Sequence, residues 1–386
     1  MKVYVTTIIL LSFLTSQMTY SKDSNQKKEQ GSIQTTMHQI GSTMKELYPY
    51  LFSDENFKAK KNKPFIKNNL KKLQQLFAAA KNHLDLKTVS YKVSYQVIND
   101  HLDSSYKVFN RGNKNYAQTM IKEATGLCIS CHSQDHIKKG LFLGVDRFNF
   151  KSDFEYAQFS HMTRNYSKAI KYFDHYLENL KGKSSANIRS AIYRLVMIYT
   201  QNENSPHKGI QKLKQISRKK DLPKIIKVDI QDWILGFQNW EKSPLLQKAP
   251  LHWAEMEKIT SKYLTPMAEG GAFNISGKEE IIYLKVASLL THFLSQHPVQ
   301  QDIPKILYWL AVTDRVLNYQ YFYSLGDLYL KECITGYAKH PFAEKCYQEY
   351  KEFLIFSFNS SKIEDLPSDI KLELNTLKQK LEGTLQ

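Results

Sequence analysis

The sequence predicts an all-α protein, with an N-terminal four-helix bundle followed by an α-solenoid of helical hairpins. Glycine and proline are sparse, at 15 and 11 of 386 residues, so helix breakers are few. Apolar residues recur at three- and four-residue spacings over long stretches, which is the period of a helix face rather than of a strand. Small residues twelve positions apart, Ala157 and Ala169, mark a helical hairpin further along. A chain of this length exceeds one core and is expected to form about two domains.

Met1-Lys2 and the 12-residue, mostly apolar run from Val3 to Leu14 form a positive start and a hydrophobic segment too short to span a bilayer. Thr19 and Ser21 place small residues at −3 and −1 of a cleavage point. Residues 1–21 are therefore expected to be a secretory signal peptide, with an uncleaved anchor as the alternative, and the mature chain is expected in the periplasm. No cysteine follows the apolar segment to accept a lipid. No later stretch approaches 18 apolar residues, so the mature chain should have no transmembrane segment. Residues 22–31 are polar and read as a flexible leader.

From Ile33, the positions Met37, Ile40, Met44 and Leu47 form a stripe on a first helix, with Pro49 expected to kink or stop it and Leu51 its doubtful member. Pro64 opens a second helix whose inner face is Phe65, Ile66, Leu70, Leu73, Leu76, Phe77 and Ala80. Asp85 can cap a third, through Leu86, Val89, Val93, Val97 and Leu102 to a stop near Gly112. The fourth carries Ala117, Met120, Ile121, Ala124, Leu127, Cys128 and Cys131 on one face. Residues 32–140 thus read as an up-down-up-down bundle.

Cys128-Ile129-Ser130-Cys131-His132 is the most informative segment, because C-x-x-C-H is the spacing at which a chain is attached covalently to one c-type haem. Two thiols reach the two vinyl groups of a porphyrin, and the adjacent imidazole holds the iron. From the cysteine and histidine content, its chance occurrence is roughly 0.001. A zinc half-site would need a second close ligand pair, whereas Cys333 and Cys346 are 13 positions apart. A redox dithiol would need a βαβ context that the flanks lack. Export agrees with haem attachment, since bacterial c-type ligation works outside the cytoplasm.

With the motif at the end of the fourth helix, the segment from Ile33 to Lys139 resembles the class II cytochromes c, the cytochrome c prime type. The resemblance implies His132 as proximal ligand, and it places the end of helix four beside the start of helix one. Met37 there looks like the distal methionine of low-spin members, and Met44, about 10 Å deeper at 1.5 Å per residue, reads as core. The alternatives are a five-coordinate iron, or ligation by His38 or His136. Met37 ligation suits electron transfer, whereas an open iron suits a gas sensor. No residue pattern suggests substrate oxidation, so no enzymatic activity is expected.

Residues 150–386 read as the helical-repeat domain. Phe154 to Lys181 resembles one tetratricopeptide repeat, with Ala157, Ala169 and Phe173 at its close approach. A looser unit runs from Leu195 and Ile198 to Gly209, Leu213 and Ile216, with about two extra residues in the turn. A degenerate third lies near Ala311, Cys333, Gly336 and Pro341. Such repeats commonly dock a protein or peptide. Trp233, Trp240 and Trp253 fall in a stretch broken by Pro244, Pro250, Pro266 and Gly270-Gly271, expected to be a loop-rich joint with the tryptophans packed against it. Cys333 and Cys346 are expected to pair in an oxidising compartment.

Net charge is +17, carried by dispersed lysines. It can steer an acidic redox partner or favour anionic headgroups, but no segment interleaves basic and aromatic residues as a nucleic-acid groove would. The sequence-based reading is an exported monohaem c-type cytochrome docked through its repeats. A gas sensor and a repeat-based assembly factor with structural haem are the rivals.

Overall fold

The computed structural model describes residues 23–81, 89–122, 145–270, 275–296, 299–317 and 325–383, and every regular element among them is helical. The expected signal peptide lies outside the described residues.

Helix α1 (Asp23–Leu51) begins at once. The expected leader is therefore largely helical. Gln, Lys and Glu favour helix without needing burial, so a polar segment joined to an amphipathic one extends it. Pro49 does not stop α1 at once but sits in its last turn, and the helix ends two residues later at Leu51. Leu51 is fully buried after all, and its carbonyl accepts from the Gln118 side chain at 2.7 Å. A short helix α2 (Asp54–Lys58), capped by Ser53, then buries Phe57 against Phe109.

Helix α3 (Lys63–Ala80) has proline in its first turn and buries Ile66, Leu70, Leu73, Phe77 and Ala80. Phe65, expected inside, is 39% exposed and rests on Tyr50 with ring centroids 5.0 Å apart. It lies one residue, about 100° of helix rotation, from Ile66, which takes it off the core face. Helix α4 (Val89–Asn110) ends at Gly112, whose φ of 91° is the left-handed C-cap geometry. Leu102 is buried as expected, together with Tyr95, Ile98 and Phe109, while Asp85 and Leu86 lie outside the described residues. Helix α5 spans residues 114–122 and buries Ala117, Met120 and Ile121. Side chains of α1, α3, α4 and α5 share one core.

Helix α6 (Asp153–Met162) joins this core to the rest of the chain. Its Tyr156 and Phe159 pack with the first core, while Phe154 and Ala157 face helix α7 (Tyr166–Glu178) in a second. Phe150 meets Phe52 at 4.9 Å and Phe159 meets Tyr48 at 4.7 Å. Ala157 and Ala169, both fully buried, let α6 and α7 approach as the repeat pattern requires. Ser152, Asn165, Ser184 and Ser205 each cap the next helix by accepting a backbone N–H.

Helix α8 (Ser185–Met197) runs into a wider π-helical turn, Ile198–Asn202, before α9 (Pro206–Ser217). The extra turn residues are thus absorbed inside the helix. A Cβ on Gly209 would meet the Phe237 ring at 2.7 Å, so glycine permits the contact between α9 and α10 (Lys224–Glu241). Trp233 and Trp240 are both buried on α10, donating to Glu280 at 2.8 Å and to the Leu246 carbonyl at 3.0 Å. The expected loop-rich joint instead contains three short helices, α11 (Pro244–Gln247), α12 (Trp253–Tyr263) and α13 (Thr265–Gly270). Pro244 is in the first turn of α11, where proline starts a helix rather than breaking one.

The chain continues through α14 (Gly277–Ser295), α15 (Ile303–Val316), α16 (Leu325–Gly336), α17 (Pro341–Ser357) and α18 (Ser368–Leu381). Helix α16 returns to the N-terminal helices. Leu325, Leu328 and Tyr329 pack on the first core, and the buried Glu332 carboxylate pairs with Lys92 of α4 at 2.7 Å. Cys333 and Cys346 lie at disulfide distance between α16 and α17, their Cα atoms 6.3 Å apart. Alkylation of unreduced, denatured protein should leave both cysteines unlabelled, and reduction should lower stability by about 3 kcal/mol. Labelling of both would show that packing alone joins these helices.

Candidate functional site

The haem-binding residues expected from the sequence divide between described and undescribed segments. Cys128, Cys131 and His132 lie outside the described residues, as do Ala124, Leu127 and His136. Helix α5 is the described part of the helix predicted to carry them, and Ala117, Met120 and Ile121, the first members of that predicted stripe, are buried.

Helix α5 is placed by three polar contacts near its start. Lys114 Nζ donates to the Lys58 carbonyl at 2.6 Å, Gln118 Nε2 to that of Leu51 at 2.7 Å, and Lys122 lies 5.3 Å from the centre of the Phe52 ring. It therefore starts beside the end of α1. Burial pushes the Lys122 ammonium below its usual pKa, and Asp54 and Glu155 oppose the shift.

On α1, Met37 is half-buried at the margin of the first core, whereas Met44 is only 1% exposed. Met44 is therefore sealed among core side chains, and Met37 is the methionine with room to meet a group at the bundle's edge. His38 is exposed. The expected residues thus fit a haem on the described side: a thioether at the core margin and, beneath it, the apolar Ile40 and Met44.

His101 is a buried titratable group that the sequence pattern did not single out. It is fully buried on α4, its Nε2 meets the Met120 carbonyl of α5, and the Ser105 hydroxyl donates to the His101 carbonyl at 2.6 Å. Burial lowers its pKa, partly opposed by the hydrogen bond to Met120. It is therefore neutral at pH 7, with Nε2 donating, and it ties α4 to α5. An apolar stripe carries no sign that a histidine occupies one of its inward positions.

At the junction, Asp153 is held by Arg147 and by His175 Nδ1. Burial raises the Asp153 carboxyl, but these two hydrogen bonds outweigh it and leave its pKa below the usual value. The group is a structural clamp between the turn at Arg147, α6 and α7. Among the described residues, no three His, Cys, Asp or Glu side chains gather as a metal site.

Lys285 of α14 is the most unusual charge in the repeats. Only 3% exposed, it donates to Asn204 Oδ1 at 2.6 Å and lies 4.9 Å from the centre of the Trp240 indole. Its signal was a single lysine inside the apolar run Ile281 to Leu294. Burial without a carboxylate pushes its pKa down to about 8.

No family model matches the chain, and neither a curated protein nor a solved structure matches it.

The Lys285 shift gives a signed prediction. With its pKa at about 8 when folded and about 10.4 when unfolded, the folded state disfavours the charge, so stability rises as pH climbs between those values and the penalty is complete below pH 8. Lys285→Met should stabilise the protein at pH 7 by at most about 3 kcal/mol, at 1.36 kcal/mol per pKa unit. It should also flatten the difference in denaturation midpoint between pH 8 and 10. An unchanged pH profile would show that Lys285 is solvated.

Proposed function

We propose that the chain is an exported monohaem c-type cytochrome that carries out electron transfer, with the helical repeats docking it to another protein. The observation that carries this reading is the motif Cys128-x-x-Cys131-His132. The two thiols would hold the haem as thioethers, His132 would be the proximal ligand and Met37 the distal one. Bound haem supplies a one-electron iron couple at this place.

The α1–α5 register supports the pairing of His132 with Met37. Gln118 bonds to the carbonyl of Leu51, and in the up-down-up-down bundle that the sequence predicts the two helices are antiparallel; His132 is 14 residues beyond Gln118, and Met37 is 14 before Leu51. In antiparallel helices with a common rise, equal counts from a shared contact reach equal heights. A fourth helix that runs on as its apolar stripe predicts would bring His132 level with Met37, and by the same counting Met44 belongs about 10 Å lower.

What this chain's own residues do follows from that arrangement. Ile40 and Met44 beneath Met37 keep water from one side of the site, and a neutral thioether facing iron favours its reduced state. Lys60, Lys67 and Lys71 are exposed on or beside α3, a helix with no acidic residue. Such a ridge steers an acidic redox partner.

Extraction with acidified acetone tests the attachment. The chain should keep about one haem mass, and a chain that loses its haem ends this proposal. The ligand set has its own test. The ferric protein should show the weak red-edge band of iron bound to a thioether, and Met37→Ala should abolish it, lower the potential and admit carbon monoxide. Met44→Ala should cost about 2–5 kcal/mol as a cavity while leaving the spectrum nearly unchanged. If the wild type binds carbon monoxide readily and Met37→Ala changes nothing, the iron is open and gas sensing replaces electron transfer.

A further inference from the structure

The turn between α9 and α10 brings charge and exposed apolar surface together. Lys214, Arg218, Lys219, Lys220, Lys224 and Lys227 all fall there, each exposed or half-buried. The neighbouring acids are mostly engaged elsewhere. Asp174 pairs with Lys212 at 2.7 Å and Asp229 with Arg189 at 2.8 Å, which leaves Asp221 and Glu178 beside the turn and Asp232 one turn beyond Val228. Six cations therefore stand among three carboxylates.

Among those cations stand large apolar side chains turned to solvent. Ile225 is 66% exposed and Val228 is 55% exposed, both in the first turns of α10. Leu235, 42% exposed, continues the line of Val228 along the same helix face. The opposite face of α10 holds Ile226, Ile230, Trp233 and Phe237 in the core, so the exposed residues cannot turn inward. The surface consists of the turn and the helix start that follows it.

We propose that this turn is a membrane-binding surface, which places the repeat domain on a bilayer rich in anionic phospholipid headgroups. Five of the six cations are lysines, hydrated point charges on flexible stems. They suit a fluid layer of phosphates better than a fixed pattern of carboxylates, which favours the arginine fork. Ile225 and Val228 protrude from the centre of that charge, where apolar tips enter the boundary between headgroups and acyl chains. No helix among the described residues is long and apolar enough to cross a membrane, so the contact is peripheral, and it is independent of the haem.

Flotation of the full-length protein with vesicles tests the surface, using phosphatidylcholine alone or mixed with an equal part of phosphatidylglycerol, at low salt and at about 0.15 M. Wild type should float with the mixed vesicles only, and more weakly as salt rises. Lys219→Glu/Lys220→Glu/Lys224→Glu should reduce the bound fraction at least tenfold. Ile225→Ser/Val228→Ser should reduce it several-fold while keeping the salt dependence. Reversal of three lysines elsewhere, Lys60→Glu/Lys67→Glu/Lys71→Glu, should change it less than twofold. The proposal is overturned if that distant triple variant loses as much binding, since diffuse net charge would then suffice. It is also overturned if the turn variants bind normally, or if wild type captures polyglutamate but not vesicles, in which case an acidic protein is the partner.

Discussion

The helices beyond α5 leave the N-terminal core through one aromatic cluster. Tyr48 and Phe52 at the end of α1 meet Phe150 and Phe159 on the segment that leads into the later helices, at centroid distances near 5 Å. Offset and edge-on ring pairs of this kind add to the burial of large apolar area. They also commit α6 to two cores, because a ten-residue helix that buries Tyr156 and Phe159 on one side and Phe154 and Ala157 on the other has little face left for solvent. The repeats therefore begin as a layer of the N-terminal core, and the direction in which they set out is fixed by ring packing rather than by a linker.

The polar groups inside the structure serve the same end. His101 ties α4 to α5, Gln118 ties α5 to α1, and the Asp153 clamp joins the turn at Arg147 to α7. Each satisfies a buried or half-buried partner that would otherwise be left without a hydrogen bond, and such groups specify geometry more than they add stability. Lys285 differs, since its partners are an amide and an indole face, and neither neutralises it.

What the sequence reveals here follows the range of each interaction. Period alone finds α1, α3 and the buried start of α5, because a stripe is a local pattern. Phe65 misleads it, being as apolar as its neighbour Ile66 while pointing about 100° away. The five residues of α2 are too few to show a period, and His101 is polar in an inward position. The two surplus residues near Ile198 are visible as a count, yet only the structure assigns them to a π-helical turn. For the candidate site, the haem motif is legible from three side chains at fixed spacing. The relation of Met37 to α5 depends instead on a hydrogen bond between residues 67 positions apart.

The contact of α16 with α4 has a mechanical meaning. An open row of helical hairpins behaves as a spring, in which each pair touches only its neighbours and small rotations accumulate toward a free end. Here the helices from α6 to α16 are tied to the same body at two places, one through the Phe150 and Phe159 rings and the other through Lys92 and Glu332, 240 residues apart in sequence. Movement between those two places meets resistance at both, as a bow's limbs are held by its string. Closing so long a loop is slow relative to forming hairpins. The last event in folding would then be the stringing of that bow, when α16 finds α4 and a row of local pairs becomes one rigid frame.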